Sequence, residues 1–334
     1  MILAWSAFAI CGVLILAAGS RLSREADQFA DATGLSRSFV GLLLLATVTS
    51  IPEMVTGISA AALVEEPNLA VGNVLGACVV NLVVLGMLDV LRRGESVYTR
   101  ASQGHILSAG FGVIMIGFVG FNVLLGERAL LPAVGHVGVS SLIILLFYVV
   151  SLGAIYRYEH RAPGDKDPDE AVRAPVDMRG VARRFLVAAT VVVGAALVLP
   201  FVGDRIAEVM GWEETFVGTL FLAIVTTLPE MAVTVGALRL GQIDLAIGGL
   251  LGSNLFNVAT VCFSDIAYAP GPILAHVSSF HAVSAISAMM MTGVVISGLL
   301  FRPRTRLLGT IGWVSFFLLM TYLLNVTALY LYGE

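Results

Sequence analysis

Two glutamates, Glu53 and Glu230, each lie inside a long apolar stretch, directly after a proline. Residues 49–53 read TSIPE and residues 226–230 read TTLPE, so the two acidic positions share one motif. A charged carboxylate in an apolar segment is costly without a partner, and no Lys or Arg lies at a similar depth in either stretch. The pattern therefore predicts that the two carboxylates bind a cation or carry protons.

Hydroxyl side chains and a proline accompany both glutamates. Thr49, Ser50, Thr226 and Thr227 lie within one helical turn of them. A proline inside a helix cannot donate to the carbonyl one turn back, so it bends the helix and frees carbonyl oxygens. Hard cations such as calcium and sodium prefer oxygen ligands of these kinds. A single Ser or Thr would more often bond to its own helix, but the recurrence of the pair beside both Pro-Glu sequences favours ion coordination.

A second motif follows each glutamate. Residues 72–81 read GNVLGACVVN and residues 248–257 read GGLLGSNLFN. The glycines allow helices to approach closely, but they do not explain Asn81 and Asn257, whose amide oxygens could face the same centre as the carboxylates. The copies are offset by 177 residues at the glutamates and by 176 at these asparagines. The sequence thus contains one unit twice.

The composition excludes an ordinary soluble protein. Of the 334 residues, 58% are hydrophobic and 13% are charged, and the mean hydropathy is +0.93. Segments of about 20 apolar residues can span a bilayer, where backbone groups must be satisfied within a helix. The predicted fold is an all-α polytopic membrane protein with ten transmembrane helices. The ten predicted helices cover approximately residues 2–20, 38–63, 68–91, 104–126, 131–156, 183–203, 214–238, 243–267, 277–301 and 306–331.

The basic residues predict the orientation, because cytoplasmic loops are enriched in Lys and Arg. With the N-terminus outside, all 19 basic residues except Arg128 and Arg205 fall in inside loops. Both termini are then expected to face outside, with a plasma (inner) membrane location. Five helices per half make the second copy enter from the opposite side. The predicted organisation is a first inverted repeat at 1–160, a cytoplasmic linker at 161–182 and a second inverted repeat at 183–334.

Other polar residues of the predicted spans receive different interpretations. Asp89, Asp244 and Asp265 lie near helix ends, where hydration is expected to make a charge inexpensive. Asn73 and Asn254 could line the same passage as the glutamates or bond helix to helix. The sequence has no phosphate-binding loop, no dinucleotide fingerprint and no nucleophile elbow, which argues against an enzyme and against nucleotide hydrolysis as the source of energy.

The two motifs resemble those of the calcium/cation antiporter superfamily, most closely its prokaryotic sodium/calcium exchangers, whose inverted alpha-repeats carry Gly-Thr-Ser-Leu-Pro-Glu and Gly-Asn-Val-Ile-Gly-Ser-Asn. The similarity is strong over residues 40–86 and 217–262 and elsewhere rests on the ten-helix topology. The resemblance implies an antiporter that exchanges sodium inward for calcium outward through four clustered sites. Inverted repeats are common in such transporters, whose midplane site is exposed alternately to either face.

The resemblance also implies a role for each residue of the motifs. Glu53 and Glu230 would hold calcium and, alternately, sodium, while Asn81 and Asn257 would flank the middle site. The remaining ligands would be the hydroxyls of Ser50, Thr227 and Ser253, hydroxyl or backbone oxygens of Thr49 and Thr226, and the carbonyls of Ala46 and Ala223.

The chain departs from the family pattern at several positions. Ala77 and Cys78 replace the Ser-Asn of the first repeat, which removes a hydroxyl and an amide from the inward-side sodium site. Asn257 stands where many family members have Asp, so two carboxylates remain in place of the three that the resemblance implies. Val48 and Val225 replace the glycine that begins each glutamate motif.

Sodium/calcium exchange is the first hypothesis, because the Thr-Ser-Pro-Glu pattern resembles that branch and not the proton-coupled one. The alternative is exchange of calcium or another divalent cation for protons, with both glutamates cycling through protonation. An alternative of a different class is a cation channel or a non-transporting sensor on the same fold. The expected partners are small inorganic cations and the lipid bilayer, without nucleic acid or cofactor, and a monomer is compatible with the sequence.

Overall fold

The computed structural model describes residues 2–92, 95–126, 132–161, 177–210, 226–303, 306–307 and 311–332, and helices form most of this part of the chain. The helices are α1 (Ile2–Thr33), α2 (Arg37–Thr49), α3 (Ile51–Ala62), α4 (Pro67–Leu91), α5 (Val97–Arg100), α6 (Gly104–Gly126), α7 (Val139–Arg161), α8 (Met178–Met210), α9 (Leu228–Arg239), α10 (Ile243–Ala267), α11 (His281–Phe301) and α12 (Trp313–Tyr332). A 3-10 turn, Ile273–Ala275, follows α10.

The described helices confirm a polytopic, mainly helical membrane protein. Eight of them are long and apolar enough to cross a membrane, and the bent pair α2 and α3 brings the number to nine if it forms one span. The predicted seventh helix, 214–238, begins outside the described residues, and α9 is its described part. A total of ten helices in inverted repeats therefore stays a prediction.

Two helices are much longer than hydropathy predicts. α1 continues beyond residue 20 to Thr33, and α8 covers Met178–Met210 where 183–203 was predicted. The extension of α1 is stabilised by α8, since Arg184 Nε lies 2.9 Å from a carboxylate oxygen of the buried Glu25. A hydropathy pattern does not register such an extension because its stability depends on pairing between helices. α1 ends before Gly34, whose φ of +69° is typical of a helix C-terminus.

The predicted starts of the fifth and tenth helices, at residues 131 and 306, are wrong. Strand β1 (Ala133–Val134) pairs with β2 (Val137–Gly138), and β3 (Arg306–Leu307) pairs with β4 (Ile311–Gly312), both antiparallel. In the first hairpin, Gly135 has a φ of +66° and allows the tight turn. Short apolar strands look like helix starts in a hydropathy profile, so the fold is mainly, not wholly, α-helical.

The chain forms two compact units, and neither unit corresponds to one sequence half. Unit 1 comprises Met1–Pro52 and Tyr156–Gly249, and unit 2 comprises Glu53–Ile155 and Leu250–Glu334. Each unit therefore combines a segment from each half. Two of the three divisions fall inside the repeated motifs, directly before Glu53 and directly after Gly249. The inverted repeats at 1–160 and 183–334, with their linker, remain a prediction from the sequence.

Unit 1 packs α1 against α8 and α9. A Cβ at Gly19 would lie 2.9 Å from the Cβ of Ala232, so the small residue allows close approach of α1 and α9. The Ser23 hydroxyl then donates to the Val233 carbonyl at 2.6 Å. The core between these helices contains Cys11, Ile15, Ala195, Ala196 and Ala232. This packing holds the helix that carries Glu230.

Unit 2 contains a buried aspartate at the end of α4. Asp89 is 1% exposed. One carboxylate oxygen accepts hydrogen bonds from the Ser96 hydroxyl at 2.6 Å and the Val97 N–H at 2.9 Å, and the other accepts from the Ser315 hydroxyl at 3.1 Å. Gly312 lies against the second oxygen and leaves room for it. Asp89 thus fastens α4 to the start of α5 and to α12.

The equivalent aspartate of α10 makes an equivalent set of contacts. Asp265, 176 residues after Asp89, is fully buried and accepts from the N–H of Ile273 at 2.6 Å and of Gly138 at 2.8 Å. Each aspartate accepts a hydrogen bond from the backbone N–H eight residues later in the chain. Its other oxygen accepts from a residue at or directly before the start of a distant helix, which is Ser315 for Asp89 and Gly138 for Asp265. The expectation that hydration makes these charges inexpensive is wrong for both, because protein donors take the place of water.

Candidate ion-binding site

Glu53 follows a bend between α2 and α3. The preceding helix contains a π-helical stretch, Gly41–Leu45, and the axis changes direction by 45° at Ser50. Pro52 has no N–H to offer the Val48 carbonyl, which explains a break at this place. Glu53 therefore lies in the first turn of α3, 2% exposed. The positive end of a helix dipole favours a negative charge there.

Glu230 has the same local setting. It lies in the first turn of α9, after Pro229, and is 2% exposed. Its Oε1 accepts a hydrogen bond from the Ser50 hydroxyl at 3.4 Å, and the Thr49 hydroxyl is within hydrogen-bonding reach of the same carboxylate. Its Oε2 has no hydrogen-bond partner among the described residues. Unit 1 thus brings the hydroxyls of one motif to the glutamate of the other.

The other predicted oxygen ligands of α2 have partners within the helix. The Ala46 carbonyl accepts from the Ser50 N–H at 3.0 Å, and the Thr49 hydroxyl donates to the Leu45 carbonyl at 3.1 Å. The Ala46 carbonyl oxygen has a second lone pair and the donating Thr49 hydroxyl keeps its own lone pairs, so neither bond prevents contact with an ion. Ala223 lies outside the described residues.

Asn73 and Asn254 bond helix to helix. Asn73 Nδ2 donates to the Glu53 carbonyl at 3.1 Å, which ties α4 to the first turn of α3. Asn254 Nδ2 donates to the Cys78 carbonyl at 3.2 Å, and Asn254 Oδ1 accepts from Asn81 Nδ2 at 3.1 Å. Of the two roles that the sequence left open for these residues, their contacts are those of helix packing.

The predicted amide ligands differ in their contacts. Asn81 has one polar atom bonded and its Oδ1 without a partner, whereas Asn257 has no hydrogen-bond partner for either side-chain atom in the described part of the chain. Both are buried. Thr226, Thr227 and Ser253 are buried as well. Glu53 belongs to unit 2 and Glu230 to unit 1, so their convergence stays a prediction.

This set of groups suits a cation more than any other ligand. The Glu230 carboxylate is buried, is contacted by neutral hydroxyls and forms no ion pair with a described residue. A dehydrated carboxylate with only neutral donors needs a counter-ion or a proton. Carboxylate, hydroxyl and amide oxygens together are the ligands of calcium and sodium. The anchoring role of Asp89 and Asp265 was not predicted, although their spacing of 176 residues repeats that of Asn81 and Asn257.

A family model described as sodium/calcium exchanger protein matches residues 3–157 and 182–331, which is nearly the whole chain. The chain belongs to this family. It is a membrane antiporter of the calcium/cation antiporter superfamily, and the family consists of transporters, not enzymes. The predicted superfamily is thereby confirmed.

Two relatives have names that state different coupling ions. The sodium/calcium exchanger MaX1 of Methanosarcina acetivorans is 27% identical over 281 residues, covering 75% of this chain and 79% of the relative. The Ca(2+)/H(+) antiporter ChaA of Bacillus subtilis is 27% identical over 293 residues, covering 83% and 77%. The chain therefore resembles both sodium-coupled and proton-coupled members.

A solved structure supports the same fold. The chain is similar to the sodium-calcium exchanger NCX_Mj with a TM-score of 0.74 over 98% of this chain and 99% of that one. The sequence identity is 16%, so the likeness concerns the fold alone. The helices described above therefore belong to an exchanger fold.

Proposed function

We propose that this antiporter exchanges sodium for calcium by alternating access at a site formed by Glu53 and Glu230. The observation that carries the proposal is the buried Glu230 carboxylate, which is contacted by the Ser50 hydroxyl of the other motif and has an oxygen without a partner in the described residues. A carboxylate in that setting is stable when a cation shares its charge. The name of the relative MaX1 supports sodium and calcium as the ions.

The two glutamates determine the charge balance of the site. Together they neutralise one calcium ion, two sodium ions or two protons, and a third sodium ion would leave a net positive site. Ser50 and Thr49 would add neutral oxygens beside Glu230 and, by the repeated motif, Thr226 and Thr227 beside Glu53. Asn81 and Asn257 would flank the middle position, with Ser253 and the carbonyls of Ala46 and Ala223 at the sodium positions.

The proposed geometry of transport follows from the duplicated sequence. Inverted repeats can interchange conformations and so open one site to either face in turn. The distribution of basic residues supports termini outside, and the plasma (inner) membrane is the default location that we propose. Small cations and the bilayer are the proposed partners, and no cofactor is proposed.

Exchange of calcium or another divalent cation for protons is the second candidate. Asn257 occupies a position where an aspartate would give a third carboxylate, so the site carries charge for two monovalent ions at most. The relative ChaA is named as a calcium/proton antiporter. In this case both glutamates would bind protons while the site returns without calcium.

A cation channel or a non-transporting sensor on the same fold is the candidate of a different class. A channel could use the same carboxylates as a selectivity site. Antiport differs from a channel because it requires a counter-ion on the opposite face, whereas a channel conducts calcium down its own gradient.

The decisive experiment measures calcium uptake into sealed vesicles that contain the purified protein. The vesicles are loaded in turn with sodium, with potassium, or with a buffer that provides only a pH gradient. We expect rapid uptake with internal sodium and background uptake with potassium, and protein-free vesicles give the background. Uptake driven by the pH gradient alone would favour the proton-coupled candidate, and equal uptake under all three conditions would favour a channel.

A further inference from the structure

We propose that a relay of amide hydrogen bonds fixes Asn81 as an oxygen ligand of the transported cation, and that Cys78 interrupts the equivalent relay toward Asn257. The site would then have one oriented amide and one unoriented amide. This inference rests on the proposed function, because it concerns the ligands of the same site. All the contacts that carry it lie within unit 2.

The relay begins at a backbone carbonyl. The Cys78 carbonyl can only accept hydrogen bonds. Asn254 Nδ2 donates to it at 3.2 Å, and this contact determines which way the Asn254 amide faces. Its Oδ1 must then point away from that carbonyl, toward a donor.

The second step orients Asn81. Asn254 Oδ1 accepts from Asn81 Nδ2 at 3.1 Å. A flipped Asn81 amide would place two acceptor oxygens against each other, so only one orientation is stable. Asn81 Oδ1 is consequently turned away from Asn254, and it is buried without a hydrogen-bond partner in the described part of the chain. That oxygen is available to a cation.

The repeated sequence predicts an equivalent arrangement around Asn257. Cys78 and Asn254 are equivalent positions, as are Asn81 and Asn257, each 176 residues apart. The backbone contacts of the first pair are reciprocal: Cys78 Sγ lies 3.8 Å from the Asn254 carbonyl, as Asn254 Nδ2 lies near the Cys78 carbonyl. By this reciprocity the Asn257 amide should face the Cys78 side chain.

Cys78 cannot complete the second relay. A thiol has no carbonyl oxygen, and its sulfur is a weak acceptor for an amide N–H. Accordingly, Asn257 is 1% exposed and neither its Nδ2 nor its Oδ1 has a hydrogen-bond partner among the described residues. Nothing in these contacts selects which end of the Asn257 amide faces the ion. A cation must therefore orient Asn257 as it binds, which lowers affinity relative to an oriented ligand.

The test compares Cys78→Asn with Cys78→Ala in the vesicle assay with internal sodium. Cys78→Asn provides the missing acceptor, and Cys78→Ala removes the thiol without adding an amide. We expect the half-saturating calcium concentration to be about three- to ten-fold lower for Cys78→Asn than for Cys78→Ala, the effect of about one hydrogen bond. Equal values for the two variants would overturn the inference.

Two further variants keep the test decisive if Asn is poorly accommodated at position 78. Asn254→Cys removes the support of Asn81 and should raise the half-saturating calcium concentration. In the double variant Cys78→Asn/Asn254→Cys, the relay supports Asn257 in place of Asn81. This variant should restore the half-saturating calcium concentration to within about twofold of the native protein. Failure of the exchanged pair to improve on Asn254→Cys would contradict the relay.

A readout of folding separates orientation from general damage. The melting temperature without calcium reports packing, and the rise in melting temperature on adding calcium reports binding. An orientation effect changes the rise and the half-saturating concentration together. If the native protein shows no sodium-dependent uptake, the proposed function fails and the inference with it. If native uptake is present and the variants do not differ, the inference alone fails.

Discussion

Helices α4 and α10 carry the same motif, yet their ends and their middles behave differently. At the ends, Asp89 and Asp265 are both buried, and each is satisfied by donors from two other segments. In the middles, Cys78 faces Asn254 at the equivalent position. The copies therefore agree in the contacts that hold the helices and differ in the contacts that reach the proposed site.

The difference follows from the different roles of the helix ends and of the proposed site. A buried carboxylate at a helix end has one stable arrangement, in which protein donors replace water. Both copies need it to fix the following segment. A site for exchange of unlike ions has no comparable reason to be symmetric, because its ligands serve ions of different charge and number. Substitutions of the two aspartates should therefore change stability, whereas substitutions at the proposed site should change transport.

The largest expected effect is on transport. Glu53→Gln and Glu230→Gln each remove a charge from the proposed site, and a charged ligand contributes about 1.5–3 kcal/mol, which corresponds to at least about a tenfold loss of calcium affinity. We expect calcium uptake to fall to background in sodium-loaded vesicles. Glu66→Gln, an exposed carboxylate outside the motifs, is the matched control. Normal transport by either site variant would contradict the two-carboxylate site.

The second effect is on stability. In Asp265→Asn an amide NH2 must face the N–H of Gly138 or Ile273, and such an unsatisfied contact costs about 1–3 kcal/mol. Asp89→Asn should cost less, because its NH2 can face the Ser315 hydroxyl, which also accepts hydrogen bonds. The free energy of unfolding of each purified variant in detergent measures both losses of stability.

The control for these anchors is Glu95→Gln, whose ion pair with Arg100 is 63% exposed on both sides. It should change stability by less than about 1 kcal/mol. An Asp265→Asn variant as stable as this control would show that the buried anchor is unimportant.

The parts of the fold that could be predicted from the sequence are those governed by local composition. Continuous apolar segments indicated helices such as α4, α6 and α10, whose observed bounds lie within one residue of the prediction. The hairpin at residues 133–138 and the extension of α1 to Thr33 were missed. Both depend on turn geometry or on pairing between helices, which hydropathy does not contain.

The candidate site was predictable to a similar extent. Repetition pointed to Glu53, Glu230 and the two motifs, because an acidic residue in an apolar segment is unusual. The contact of Ser50 with Glu230 and the role of Asn254 were not predictable, since residues 180 and 173 positions apart meet there. The anchors Asp89 and Asp265 were misjudged because position in a helix does not determine burial.

A smaller effect is expected at Ser50. Ser50→Ala removes the hydroxyl that contacts Glu230 and should weaken calcium affinity about two- to ten-fold, as expected for one hydrogen bond or neutral ligand. Thr47→Ala is the control, because the Thr47 hydroxyl donates to the Leu43 carbonyl of its own helix. Equal half-saturating concentrations for the two variants would remove Ser50 from the site.

The smallest expected effect is at Ala77. Ala77→Ser restores the hydroxyl found in the second copy at Ser253 and should strengthen the dependence of uptake on sodium about two- to three-fold, less than one full hydrogen bond. Ala70→Ser, two turns earlier on the same face of α4, is the control. If uptake by the two variants depends equally on sodium, the difference between Ala77 and Ser253 has no effect on sodium coupling.

The most direct measurement is an experimental structure of the protein with bound calcium. We expect one calcium ion with oxygen atoms of both Glu53 and Glu230 at about 2.3–2.6 Å, the usual distance for calcium ligands. Calcium bound to only one of these glutamates, or glutamates whose carboxylates are turned toward lipid, would contradict the account.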